Sequence, residues 1–226
     1  MDSSIVILDP ESGERHQSLG EEIANSVSHG FGLLAALIGT PFLLRHAART
    51  GDGIYLVANC IFAATIVILY LTSTLYHALP RGTAKHVFRI IEHISIFFLI
   101  AGTYSPFTLG VLRGPWGWTL FGLIWALALA GVTLKLARGV RHPIISTTLY
   151  LLMGWVVIIA ARPLWLLMPH QGFVWIFLGG LAYSGGVIFY AIDYRLRYSH
   201  FIWHLFVMAG TVLQFFAIFW YAGRPA

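Results

Sequence analysis

Residues 54–79 read IYLVANCIFAATIVILYLTSTLYHAL, a run that holds no Asp, Glu, Lys or Arg. A bilayer hydrocarbon core of ~30 Å needs about 20 apolar residues in a helix. A helix also satisfies its own backbone hydrogen bonds where no water is available. The stretch therefore reads as a membrane-spanning helix from Ile54 to about Leu79, closed by Pro80-Arg81-Gly82. Outward from it the pattern recurs. Spans are expected at Ser26 to Leu44, Phe88 to Val111 with a kink at Pro106, and Trp116 to Leu136. Three more are expected at Pro143 to near Arg162-Pro163, Gly172 to Ile192 and His200 to Tyr221. The expected fold is an all-α integral membrane protein, a seven-transmembrane helix bundle over residues 26–222. A polar tail, 1–25, precedes it and a short tail, 223–226, follows.

Composition agrees. With 58% hydrophobic and 10% charged residues, the chain falls outside the range of soluble globular domains. Its net charge of +5 would suit a nucleic-acid partner in a soluble protein, but in a membrane chain basic loops first report orientation. No nucleic-acid partner is expected. Nine of the 14 basic residues fall in the N-terminal tail and the loops after spans two, four and six. The positive-inside rule then makes the N-terminus cytoplasmic and the C-terminus external. Residues 1–25 lack the basic and apolar regions of a signal peptide. The single cysteine, Cys60, permits no intramolecular disulfide.

Ionisable groups inside a bilayer are costly, so each needs a partner, a cavity or a function. In this topology four spans bring such groups to one depth on the N-terminal side. Span one carries Glu22, Asn25 and His29, span two Ser73 and His77, span three Glu92 and His93, and span seven His200 and His204. Residues four apart share a helix face, so His200 and His204 can reach one ion. With His77 they make a three-imidazole zinc site whose fourth position is left for water. Imidazole also suits copper, iron or nickel. Zinc lowers the pKa of its water to about 7, and Glu92 is placed to accept the proton, which suits hydrolysis of an ester or amide. Ser73 either stabilises a developing oxyanion or bonds the carbonyl four residues back. His29 is a supporting group, an alternative ligand or a packing residue, with Asn25 and Glu22 beside it. His93 points about 100° away from Glu92 and reads as structural. Glu22, Arg81, Lys85 and Arg89 also fit side chains that reach out to the interface. The small residues of span six, Gly179 to Gly186, read as a helix-packing face.

Other classes fit less well. A retinal protein needs a lysine within a span, whereas Lys85 and Lys135 fall at helix ends. No HExxH is present.

Four ordered motifs carry a resemblance. Glu22-x2-Asn25 with Ser28-His29-Gly30, Ser73-x3-His77, Glu92-His93 followed by Ala101-Gly102-Thr103-Tyr104-Ser105-Pro106, and His200-x3-His204 together resemble the hemolysin III family. Its bacterial members are related to the progestin and adiponectin receptors and more distantly to alkaline ceramidases. The resemblance runs from Glu21 to Tyr221. It implies seven helices, a cytoplasmic N-terminus and zinc held by residues corresponding to His77, His200 and His204. Ser73 and a third-span acid are implied to belong to the site. The family commonly has aspartate where this chain has Glu92, whose carboxylate sits one methylene farther out.

The expectation for function is a zinc-dependent hydrolase of membrane lipid amides or esters in a bacterial inner membrane. A non-catalytic lipid-homeostasis sensor with a structural metal is the alternative. A pore-forming cytolysin is a third reading.

Overall fold

The computed structural model describes residues 15–139 and 143–223. The charges at Asp2, Asp9, Glu11, Glu14, Arg141 and Arg224 lie outside the described residues, as do most of the two expected tails. The described chain is helical throughout: α1 Leu19–Arg49, α2 Gly53–Ala78, α3 Thr83–Leu109, α4 Pro115–Arg138, α5 Pro143–Trp155, α6 Ala161–Leu167, α7 His170–Ala191 and α8 Ser199–Tyr221. A 3-10 segment, Val156–Ala160, joins α5 to α6, and the three pieces make one span. Among the described residues, seven helical stretches are thus long and apolar enough to cross a membrane, as expected. Large apolar side chains such as Phe31, Ile38, Ile144, Leu152 and Leu166 face outward, where lipid rather than water suits them.

Local chemistry sets the ends. α1 begins at Leu19, ahead of the apolar run, because Ser18 and Glu21 form a capping box that satisfies backbone donors reciprocally. Glu22 and Asn25 therefore lie in the first two turns of the helix. Asp52 caps α2 by accepting from the N–H groups of Ile54 and Tyr55 at 3.1 Å. α3 continues past Pro106 for one more turn. The expected end of the fifth span, Arg162-Pro163, is instead the first turn of α6, a position where proline's missing N–H costs nothing.

Around the break in the fifth span, carbonyls and N–H groups lose their helical partners, and Tyr104 of α3 replaces them. Its hydroxyl donates to the carbonyls of Met153 and Gly154 at 3.0 and 2.8 Å and accepts from the N–H of Val157 at 2.8 Å. In hydrocarbon, irregular backbone needs protein partners of this kind.

Helix α1 packs on α2 and α8, α2 on α3, α3 on α4, and α7 on α8, with the fifth span closing the ring more loosely. The small residues of α7 do face α8. A Cβ at Gly186 would lie 2.8 Å from Phe206, and one at Gly179 would lie 2.6 Å from Gln214. Because first and last spans meet, the starts of α1 and α8 lie together with the end of α2 and the start of α3. This is the depth at which the sequence concentrates its polar residues.

Candidate metal centre

One ring nitrogen of each of His77, His200 and His204 lies within 4.8 Å of the other two. A tetrahedral ion with ~2.0–2.1 Å bonds holds its ligands about 3.4 Å apart, so modest side-chain rotation closes the group on an ion. His204 is fully buried and His77 is 3% exposed.

Hydrogen bonding identifies the nitrogens. His204 Nδ1 lies 3.2 Å from the carbonyl oxygen of Asn25. A carbonyl only accepts, so Nδ1 carries the proton and Nε2 a lone pair. His77 Nδ1 lies 2.8 Å from Glu22 Oε2, and the same reasoning leaves its Nε2 bare. Ser73 Oγ donates to Glu92 Oε1 at 2.5 Å, which uses the hydroxyl proton. His29 Nδ1, 2.7 Å from that Oγ, must then donate, leaving a third lone pair on its Nε2. The Nε2 atoms of His29, His77 and His204 are all buried and have no hydrogen-bond partner. A buried polar atom left unpaired costs about 1–3 kcal/mol. Two of them, on His77 and His204, belong to the three-imidazole group, and the third, on His29, belongs with Glu92 and His204 to an overlapping set, so bonds to a metal ion would satisfy either pair.

Glu92 sits beside the group, Oε1 being 3.8 Å from His77 Nε2. With His29 and His204 it makes a second, overlapping set of possible ligands. The His29 and His204 rings stack, centroids 3.5 Å apart and planes 7° from parallel. Ser73 thus bridges Glu92 and His29 rather than bonding its own helix. Asn25 contributes through its main-chain carbonyl, since its amide instead donates to Gln17 at 2.6 Å. His93 bonds the Arg89 carbonyl on its own helix at 2.7 Å, consistent with a structural part. Arg89 is buried rather than reaching outward, and Lys135 is buried in the last turn of α4.

Behind the imidazoles stand charged partners. Lys85 Nζ lies 3.0 Å from Glu22 Oε1 and donates to the carbonyls of Tyr76 and Leu79, so it ties the end of α2 to the carboxylate that holds His77. Asp193 Oδ2 lies 3.6 Å from His200 Nδ1 and accepts from Gln17 at 3.1 Å. Burial alone would raise the Asp193 carboxyl, but His200, Gln17 and Arg15 hold it below its ordinary range. Arg15 also pairs with Glu21 through two nitrogens, at 2.5 and 3.0 Å. Glu21 in turn accepts the N–H of Tyr198 at 2.9 Å, at the left-handed residue (φ 59°) that turns the chain into α8. Sequence reading misses Asp193 and Gln17, and it places Ser28 only within a motif, whereas its hydroxyl lies 3.2 Å from His204 Nδ1. The available signal was that Asp193 is the only acid between the last two spans.

Cavities run through the cluster. A polar mouth of 200 Å³, lined by Glu22, Arg81, Lys85, Glu92, Asp193 and His200, leads to a 40 Å³ space beside His29, Glu92 and His200. Ile96, Tyr150, Trp203 and Val207 line both that space and an apolar cavity of 110 Å³. Thr103, Tyr104, Trp155 and Gln214 connect it with a further cavity of 220 Å³. Of the three imidazoles, His200 lines this passage, together with His29 and Glu92, where a polar entrance meets apolar cavities between α3, the fifth span, α7 and α8, while His77 and His204 stand behind it.

Comparison with known proteins gives a consistent result. A family profile described as Haemolysin-III related matches residues 17–215. The chain is 42% identical over 204 residues to the Hemolysin-3 homolog of Bacillus subtilis (strain 168), covering 90% of this chain and 95% of that protein. It is 40% identical over 205 residues to Hemolysin-3 of Bacillus cereus, covering 91% and 93%. The human Monocyte to macrophage differentiation factor is 26% identical over 220 residues, covering 95% and 90%.

Proposed function

The chain belongs to the haemolysin-III-related family, and from that premise we propose that it is a zinc-dependent hydrolase of membrane lipid amides or esters. The observation that supports this reading is the three-imidazole cluster, with Glu92 alongside, one of whose members, His200, lines the junction of a polar mouth and an apolar tunnel with Glu92. His77, His200 and His204 would hold the ion. Zinc, when bound, supplies Lewis acidity and makes water a nucleophile near neutral pH.

The protein's own residues do the rest. The tunnel walls take the acyl chain and exclude water from it, which sets the scissile carbonyl beside the cluster. Glu92 accepts the proton as water oxygen bonds to the carbonyl carbon, then returns it to the leaving nitrogen or oxygen as that bond breaks. Ser73 donates to Glu92 and fixes the carboxylate orientation. His29, through Ser73, keeps that hydroxyl directed at Glu92. By the charge rule the mouth faces the cytoplasm.

One observation favours a second reading. His29 offers a further lone pair beside the cluster, and a closed four-ligand site would be structural and non-catalytic. The names of the two Bacillus relatives suggest lysis, but the tunnel past the histidines is apolar and offers no polar ring for ions.

Purified protein would be assayed for metal and then incubated with a mixed lipid extract, with released fatty acid read by mass spectrometry. Glu92→Gln should keep its metal and lose turnover by about 10²–10⁴-fold. Release that survives this change, or full metal content after His77→Ala, His200→Ala and His204→Ala together, would sink the hydrolase reading.

A further inference from the structure

Gln214 of α8 is a polar residue in the apolar part of the tunnel. It is 6% exposed and lines both apolar cavities. Its Nε2 donates to the carbonyl of Ile176 at 3.0 Å. A Cβ at Gly179 would come within 2.6 Å of that nitrogen, so the amide is seated in the gap that this glycine leaves. Turning the amide over would set two carbonyl oxygens against each other, which fixes the assignment of its ends. Oε1 is consequently held in place, and it is buried without a hydrogen-bond partner.

Most other polar side chains lining the two cavities are already engaged, the exception being the indole N–H of Trp203, a donor eleven residues from Gln214 on the same helix. Thr103 and Thr108 bond carbonyls of their own helix. Tyr104 bonds the fifth-span backbone, and Tyr150 the His93 carbonyl. Tyr183 pairs with Thr211, and Ser184 accepts from Trp155. A water molecule at Gln214 would need two to four polar partners, and this wall offers it few. The unpaired group is an acceptor, so what completes it must bring a donor.

Its position along the tunnel says where. Gln214 follows His204 by ten residues on one helix, which is about 15 Å along the axis. An extended chain advances ~3.3–3.6 Å per three bonds. The donor therefore lies about a dozen bonds from the group held at the histidines. An amide N–H of the substrate would be at the scissile bond, so a donor this deep in an acyl chain is a hydroxyl.

We propose that Gln214 selects lipids whose acyl chain carries a mid-chain hydroxyl, its Oε1 accepting that hydroxyl's proton. The inference rests on the reading that the tunnel takes the acyl chain of the site's substrate.

The test uses purified protein and displacement of a fluorescent fatty acid by stearic acid, 2-hydroxystearic acid and 12-hydroxystearic acid. One hydrogen bond should make the 12-hydroxy acid about three- to tenfold tighter than stearic acid, with the 2-hydroxy isomer no tighter. Gln214→Leu and Gln214→Met should erase that preference and keep stearic acid affinity. Equal binding of the three acids to the wild type overturns the role of Gln214 and leaves the tunnel reading standing. A preference that persists in both variants overturns it too. Binding of none of them removes the tunnel reading and this inference with it. The comparison of isomers needs only the wild type, so it decides the matter even where a variant does not fold.

Discussion

Glu22 on α1 and His77 on α2 meet through one 2.8 Å contact, carboxylate oxygen to Nδ1, and Lys85 holds the carboxylate from the other side. The contact fixes which nitrogen of His77 faces the cluster. Such partners raise the basicity of a ligating imidazole and set its orientation, and losing one typically costs 10–100-fold in metal affinity. Glu22→Gln should therefore weaken metal binding by about that factor without changing stoichiometry. Chelator competition measures it, and unaltered affinity would show that the contact merely ties two helices together.

Ser73 has two partners, and its loss should be felt at both. Ser73→Ala leaves His29 Nδ1 and Glu92 without their shared hydroxyl. The expected cost is about 1–3 kcal/mol of stability, with metal content unchanged because the three imidazoles proposed as ligands remain. Thermal unfolding in detergent alongside metal analysis separates the two. Loss of metal would mean that Ser73 positions a ligand.

Tyr104→Phe removes one oxygen that serves three backbone groups of the fifth span. Destabilisation of about 1–3 kcal/mol is expected, with faster hydrogen exchange confined to residues around the 3-10 segment. Uniform exchange across the bundle would instead indicate that the break is held by packing alone.

At the opposite end of the bundle, Asp52 Oδ2 lies 2.6 Å from Arg113 Nη2. Burial pushes the Asp52 carboxyl up, but Arg113 and the N–H groups of Tyr55 and Ile54 outweigh it and hold it below its ordinary value. A depressed carboxyl stabilises the fold above its unfolded pKa of about 3.9. That contribution is lost as pH falls through the lower folded value. The pair is partly exposed, so about 1 kcal/mol or less is at stake. Melting temperatures of wild type and Asp52→Asn should differ at pH 7 and converge towards pH 3. A constant difference would remove the ion pair from the account.

How far the sequence could be read follows from which forces set each feature. The spans were legible because a bilayer demands some twenty apolar residues together, and Ile54 to Leu79 meets that demand in one run. His77, His200 and His204 were legible because imidazoles in hydrocarbon need a reason, and helix periodicity puts the last two on one face. The start of α1 was not, since hydropathy stops at Ser26 while a capping box, a hydrogen-bond device, carries the helix back to Leu19. Asp193 was hidden because its link to His200 runs through the turn at Tyr198, whose left-handed backbone no composition rule anticipates. Asn25 was found for the wrong atom. Its side chain suggested a role, and its carbonyl fills it.

The meeting of α1 with α8 also sets an order of assembly. His77 is made 123 residues before His200, and chains emerge N-terminus first at about 5–20 residues per second. For several seconds at least, each new molecule holds one of the three candidate ligands and lacks the other two. The clasp that orients α8, Glu21 on the Tyr198 N–H, likewise waits for the last helix. A nascent chain cut short before α8 lacks two of the three imidazoles, and its first helix has α2 but not α8 to pack against. On the proposed reading, capture of the ion is a terminal event in the protein's biogenesis, and metal content in a membrane preparation would count the chains that have finished folding.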